Sequence, residues 1–76
     1  MTRRGQAAEA KGYFFHVTHD KNSNKWHVKE VRDTEYETYN SKEEAIKHAE
    51  ENAKNVEQGH VVIHREDGKF DTVENF

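Results

Sequence analysis

Ser41-Lys-Glu-Glu-Ala-Ile-Lys-His-Ala-Glu-Glu-Asn-Ala-Lys-Asn-Val-Glu-Gln-Gly59 is the stretch on which the fold turns. Ser41 with Glu44 three positions on forms a capping box, in which each side chain satisfies a backbone amide that a helix start leaves unpaired. Ala45, Ile46, Ala49, Ala53 and Val56 recur at helical spacing and form one apolar stripe. Glu43→Lys47 and Glu50→Lys54 have the favourable i,i+4 order on the wet side. Gly59 falls where a left-handed cap is wanted. The spacing therefore predicts an amphipathic helix over about Ser41–Gln58. Three alanines in its stripe mean that the helix backbone lies close to whatever it covers.

Upstream, the period changes from helical to alternating. Tyr13-Phe-Phe-His-Val-Thr-His19 is dense in aromatic and β-branched residues, and Lys25-Trp-His-Val-Lys-Glu-Val31 alternates after the polar cluster Asp20–Lys25. Centring the turn between Asn22 and Ser23 sets Val17 opposite Val28 and His19 opposite Trp26. Phe15, Val17, Trp26 and Val28 then share a core face, and Phe14, His16, Thr18, His27 and Lys29 share the other. Arg32-Asp-Thr34 is read as a turn, and Glu35–Tyr39 as a third strand. Downstream of Gly59, Val61–His64 reads as a fourth strand, Asp67-Gly68 as a type I′ turn, and Phe70–Val73 as a short edge strand. The tail Glu74–Phe76 is expected to fray. The whole is an α+β domain over residues 13–76, with an antiparallel sheet of about five strands (β-β-β-α-β-β) and one helix packed on one face. Residues 1–12 show neither period and are expected to be a flexible arm.

Composition narrows the classes. A chain of 76 residues with 32% hydrophobic and 36% charged residues has one thin core. It has no cysteine, so neither a disulfide nor a thiolate metal site is available. No run approaches the roughly 18 apolar residues that mark a membrane span, and none resembles a signal-peptide core. The expectation is a soluble, cytoplasmic protein that does not meet the membrane. Residues 1–12 carry Arg3, Arg4 and Lys11 against Glu9, a charge of +2, so the rest of the chain holds −5 of the net −3. An acidic body with a short basic arm is a poor match for nonspecific DNA binding.

In order and spacing, these segments resemble the small bacterial and archaeal family known as domain of unknown function 2188. The likeness rests on His16-Val17, Trp26-His27-Val28-Lys29, Ser41-Lys-Glu-Glu-Ala-Ile46, and Val62-Ile63-His64 followed by Asp67-Gly68-Lys69, and spans about residues 13–70. It implies the β-β-β-α-β-β order and no activity, since none is attached to that family and a fold alone supplies none.

Six histidines invite a metal reading. His16 and His27 lie diagonally on one face, and His64 joins them if the fourth strand pairs beside the first; three imidazoles on a face can build an open zinc site. The opposing reading, which carries more weight, is that half-polar rings suit the wet side of a sheet, so no metal or other cofactor is expected. Ser23 sits in a turn and Ser41 is occupied as a cap, so no nucleophile is placed for catalysis. There is no phosphate-cradling glycine loop. The expected function is a non-enzymatic protein-interaction module, self-associating or binding a partner through the bare sheet face. Phe14, His16, His27, Lys29, Val31, Val62 and His64 form its surface. Single-stranded nucleic-acid binding through the sheet aromatics and the basic arm is the alternative.

Overall fold

The protein is described here from a computed structural model, which covers residues 12–76. The arm expected over residues 1–12 thus lies outside the described residues, save for Gly12. Five strands and one helix follow in the order β1 (Tyr13–Asp20), β2 (Lys25–Glu30), β3 (Glu37–Tyr39), α1 (Lys42–Lys54), β4 (Gly59–His64) and β5 (Phe70–Asn75). They make one sheet with strand order β3-β2-β1-β4-β5.

The first hairpin has the register its sequence predicts, with Val17 opposite Val28 and His19 opposite Trp26. Asn24 closes its loop at φ 56°, a left-handed position that asparagine tolerates. The Asn24 N–H donates to the Asp20 carbonyl at 2.8 Å, and the Asn22 N–H donates to the Asp20 side chain at 2.9 Å. At the far end of β2, Glu30 is a buried carboxylate that accepts from the Phe14 N–H (3.1 Å), the Arg32 N–H (3.1 Å) and Arg32 Nε (3.2 Å). Burial opposes its ionisation, but these donors outweigh burial and hold its carboxyl below the ordinary range. The Arg32 guanidinium in turn lies 4.3 Å from the centre of the Tyr13 ring, so one carboxylate ties the end of β2 to the start of β1.

The sheet is mixed rather than wholly antiparallel. β1–β2, β2–β3 and β4–β5 are antiparallel, whereas β1 and β4 run parallel, Phe14 beside His60 and His16 beside Val62. The reason is the helix. The hairpins carry the chain away from β1, and α1 then returns it across the sheet to the end where β1 began. β4 consequently starts level with β1 and points the same way. A crossover through a helix is the usual route to a parallel pair.

Phe15, Val17, Trp26, Val28, Val61 and Ile63 from the sheet meet Ala45, Ala49 and Ala53 from α1 in the core, with Tyr39, Ile46 and Val56 packed at its margin. Ser41 caps α1 as expected, its Oγ accepting from the Glu44 N–H at 3.1 Å. The helix stops a turn earlier than its stripe suggests. Asn55 is the C-cap, and Val56 reaches the core from the following turn. Gly59 is not the cap either. Gln58 takes the positive φ (53°), and Gly59 opens β4 so close under α1 that a Cβ there would overlap the Ala53 carbonyl. The i,i+4 pairs expected along the helix do not close; Lys42 instead pairs with Asp71 (3.3 Å), and His48 Nδ1 lies 3.8 Å from a Glu51 carboxylate oxygen.

Two expectations for the C-terminal hairpin are also corrected. A type I′ turn needs positive φ at both central residues. Here Gly68 alone takes it (φ 89°), and its N–H donates to the Arg65 carbonyl at 2.9 Å. The loop is a type I turn followed by a left-handed glycine, and the register slips once more between Ile63 and His64. Nor does the tail fray. β5 pairs with β4 as far as Asn75, and the Phe76 N–H donates to the Gly59 carbonyl at 2.8 Å.

The close seat of β4 under α1 gives a direct test. Gly59→Ala sets a methyl against backbone that no side-chain rotation relieves, so it should cost about 3 kcal/mol in chemical denaturation. Gln58→Gly, one residue earlier, relieves a left-handed φ and should be neutral or stabilising. Equal losses in both variants would show that the turn, rather than the helix contact, governs this junction.

Candidate functional site

Strand alternation decides what the uncovered side of the sheet presents, because successive side chains point to opposite faces. With Phe15, Val17, Trp26, Val28, Val61 and Ile63 under the helix, the open face receives Phe14, His16 and Thr18 from β1. It receives His27 and Lys29 from β2, and His60, Val62 and His64 from β4. Val31, just beyond β2, follows the same side and is 55% exposed, its N–H bonded to the Phe14 carbonyl at 2.9 Å. Val31 also lines a shallow depression of about 200 Å³ with His16, Thr18 and Lys29. All seven residues singled out from the sequence as a surface thus lie on this face.

The rings on the face are paired, two pairs across the β1–β4 seam and one between β2 and the loop before β3. Phe14 stacks on His60 with centroids 4.5 Å apart, His16 on His64 at 5.5 Å and His27 on Tyr36 at 4.1 Å, with interplanar angles of 16°, 21° and 24°. The remaining two histidines also have ring partners, His19 with Trp26 and His48 with Tyr39. Neighbouring strands stand about 4.8 Å apart, so rings stacked across that gap stand upright and turn their edges to solvent.

Polar contacts join side chains across the face: Nδ1 of His60 lies 2.6 Å from the Asn75 side-chain oxygen, and Nδ1 of His16 lies 3.2 Å from Nε2 of His64. Nδ1 of His64 lies 3.3 Å from the Gly68 carbonyl, which can only accept. The proton of neutral His64 therefore sits on Nδ1, its Nε2 accepts, and His16 donates from Nδ1. Burial, and then the neighbouring His64 charge, lower the His16 pKa from 6.5. His27 does not join this pair. Its Nε2 lies 3.8 Å from an Asp20 oxygen and its ring covers Tyr36. The metal candidates His16, His27 and His64 are thus two and one, and among the described residues no three His, Cys, Asp or Glu side chains are grouped to hold an ion.

The helix carries Glu43, Glu44, Glu50 and Glu51 against Lys42, Lys47 and Lys54, while Asp33, Glu35 and Glu37 line an open cleft of about 240 Å³ beside Asn52. The buried carboxylate of that cleft, Glu30, is already engaged by three donors. On the open face the charged residues are Asp20 at one rim and Lys25 and Lys29 along β2.

Sequence reasoning passed over His60, Tyr36, Phe70 and Val73. His60 shares the parity of Val62 and His64, but Gly59 before it reads as a helix cap, which hides the start of the strand. Tyr36 sits just before β3, where alternation gives no guide. Phe70 and Val73 reach the open side through their pairing with His64 and Val62.

A five-stranded mixed sheet with one helix on one face and a bare face of ring pairs defines a small α+β domain. The family model described as an uncharacterized protein conserved in bacteria, domain of unknown function 2188, matches residues 15–76. The chain belongs to that family. Neither the curated proteins nor the solved structures contain a match to it. No helix among the described residues is long and apolar enough to cross a membrane.

The His16 environment sets a pH dependence. Because the folded chain holds the His16 proton less tightly than the unfolded chain, the stability tied to it is complete above about pH 6.5. It is lost as pH falls from there through the lowered value. The melting temperature should therefore drop between about pH 7.5 and pH 5, and His16→Phe, which keeps a ring against His64, should flatten that drop. An unchanged profile in His16→Phe would place the acid sensitivity elsewhere.

Proposed function

We propose that this chain is a non-enzymatic protein-interaction module that docks a protein surface, its own second copy included, through the open sheet face. The observation that supports it most is the one-sided cover. α1 shields one face, and the other keeps Phe14, Val31 and Val62 beside imidazole edges, an apolar strip with hydrogen-bonding rims. Contacts of this mixed kind suit protein surfaces, where aromatic groups are enriched and charge is depleted at the centre. A second layer would also relieve the thin core of so short a chain. The cysteine-free sequence fits the reducing conditions of the cytoplasm, which is the compartment this reading assumes.

A second reading, binding of single-stranded nucleic acid, draws support from Lys25 and Lys29, which lie beside the rings of the open face. Base stacking, however, uses open ring faces, and here one face of each of Phe14, His16, His27, His60 and His64 is taken by a neighbouring ring, which reduces the ring surface left for bases. The face therefore favours a protein.

Sedimentation from micromolar to millimolar concentration should show mass rising with concentration, and Val62→Glu, at the centre of the face, should weaken that rise without unfolding the chain. A strict monomer throughout, with no protein partner captured by the wild type and lost by Val62→Glu, would refute the reading. An electrophoretic shift with single-stranded RNA or DNA at low salt would decide for the alternative.

A further inference from the structure

The edges of the sheet differ. β3 is three residues long, whereas β5 is a six-residue edge strand. Exposed large hydrophobic side chains gather at the β5 edge: Phe70 is 57%, Val73 43% and Phe76 44% exposed. A long, apolar edge is a template for another strand unless charge, proline or a bulge blunts it. Here the bulge sits at the start of β5, between the Ile63–Thr72 and His64–Phe70 pairs, and the stretch Thr72–Asn75 continues without interruption.

Hydrogen-bond alternation fixes which β5 groups are free. The Phe76 N–H bonds to the Gly59 carbonyl. In an antiparallel pair inward and outward groups alternate, so Glu74 and Thr72 also face β4, while the N–H and C=O of Val73 and Asn75 point away from the sheet.

We infer that β5 pairs antiparallel with β5 of a second copy, about a two-fold axis at Val73, joining two sheets into one of ten strands. Charge and parity select this register. If both open faces are to lie on the same side, partners across the seam must share a face, so the axis passes through a residue rather than between two. Centring on Glu74 sets two carboxylates against each other, which is destabilising. Centring on Thr72 runs the pairing into the bulge at Asp71, where the alternation of faces is broken. Centring on Val73 pairs valine with valine on the open face and Thr72 with Glu74 on the helix face, with no like charges opposed, and ends at the bulge residue Asp71. It also makes Val73, whose groups point outward, the hydrogen-bonded pair at the axis. A seam this short belongs to the weak, transient class of interface. It goes beyond the docking reading of the open face, because it extends that face across two copies instead of covering it.

Val73→Pro is the discriminating variant. The Val73 N–H takes no part in the β4–β5 ladder, and proline is tolerated on an edge strand, so the fold persists, as circular dichroism would verify. Val73→Lys gives a second disruption of the edge without a backbone change. At millimolar concentration the wild type should sediment as a dimer, and both variants as monomers. Amide exchange at Val73 and Asn75 should slow with concentration in the wild type only. A dimer that survives both variants, or Val73 and Asn75 amides whose exchange ignores concentration, would overturn the seam while leaving open-face docking intact. Loss of the dimer in Val62→Glu with its retention in Val73→Pro would instead assign association to the face.

Discussion

The close seat of three alanines against the sheet is the constraint on which the rest of this structure depends. Ala45, Ala49 and Ala53 are completely buried, and Gly59 lies where any side chain would strike the Ala53 carbonyl. Larger residues in that stripe would lift α1 away and open voids around Val17 and Val61, the largest side chains with no exposure. The same contact positions β4. Because the helix returns the chain to the start of β1 and holds it close, β4 enters parallel to β1 and brings His60 beside Phe14 and His64 beside His16. The Phe14–His60 and His16–His64 ring pairs of the open face are therefore a consequence of helix packing on the opposite side.

Much of this was legible in the sequence, and the physical reason is periodicity. The capping box at Ser41, the alanine stripe and the alternation of Tyr13–His19 and Lys25–Val31 each have a local signature, and together they yielded the helix, the first hairpin and its register. The family resemblance and the order of elements followed from the same segments. What escaped is governed by contacts between distant residues. The parallel β1–β4 pair depends on where a crossover lands. The early helix end depends on Gly59 fitting beneath Ala53, which made a strand residue look like a cap. The type I turn before Gly68 needs only one left-handed residue, and Asp-Gly alone does not distinguish it from type I′.

The face was legible in outline for the same reason. Parity placed Phe14, His16, His27, Lys29, Val62 and His64 on one side, since an alternating strand leaves no choice once the core is known. Parity did not reveal which rings touch. The His16–His64 contact requires a parallel neighbour, and the stack of His27 on Tyr36 requires a loop to fold back over β2. Glu30 was invisible as a buried anchor, because a carboxylate at a core position is a mismatch until Arg32 and the Phe14 amide are seen to meet it.

The account ties function to the face that α1 leaves bare, and one measurement addresses that tie most directly. Amide and imidazole NMR signals followed from micromolar to millimolar concentration report which surface meets a neighbour. The account predicts shifts at Phe14, His16, His60 and Val62 and along Val73–Asn75, with the outer helix residues Glu43, Lys47 and Glu50 unmoved. Shifts centred on the helix, with the open face unchanged, would contradict it.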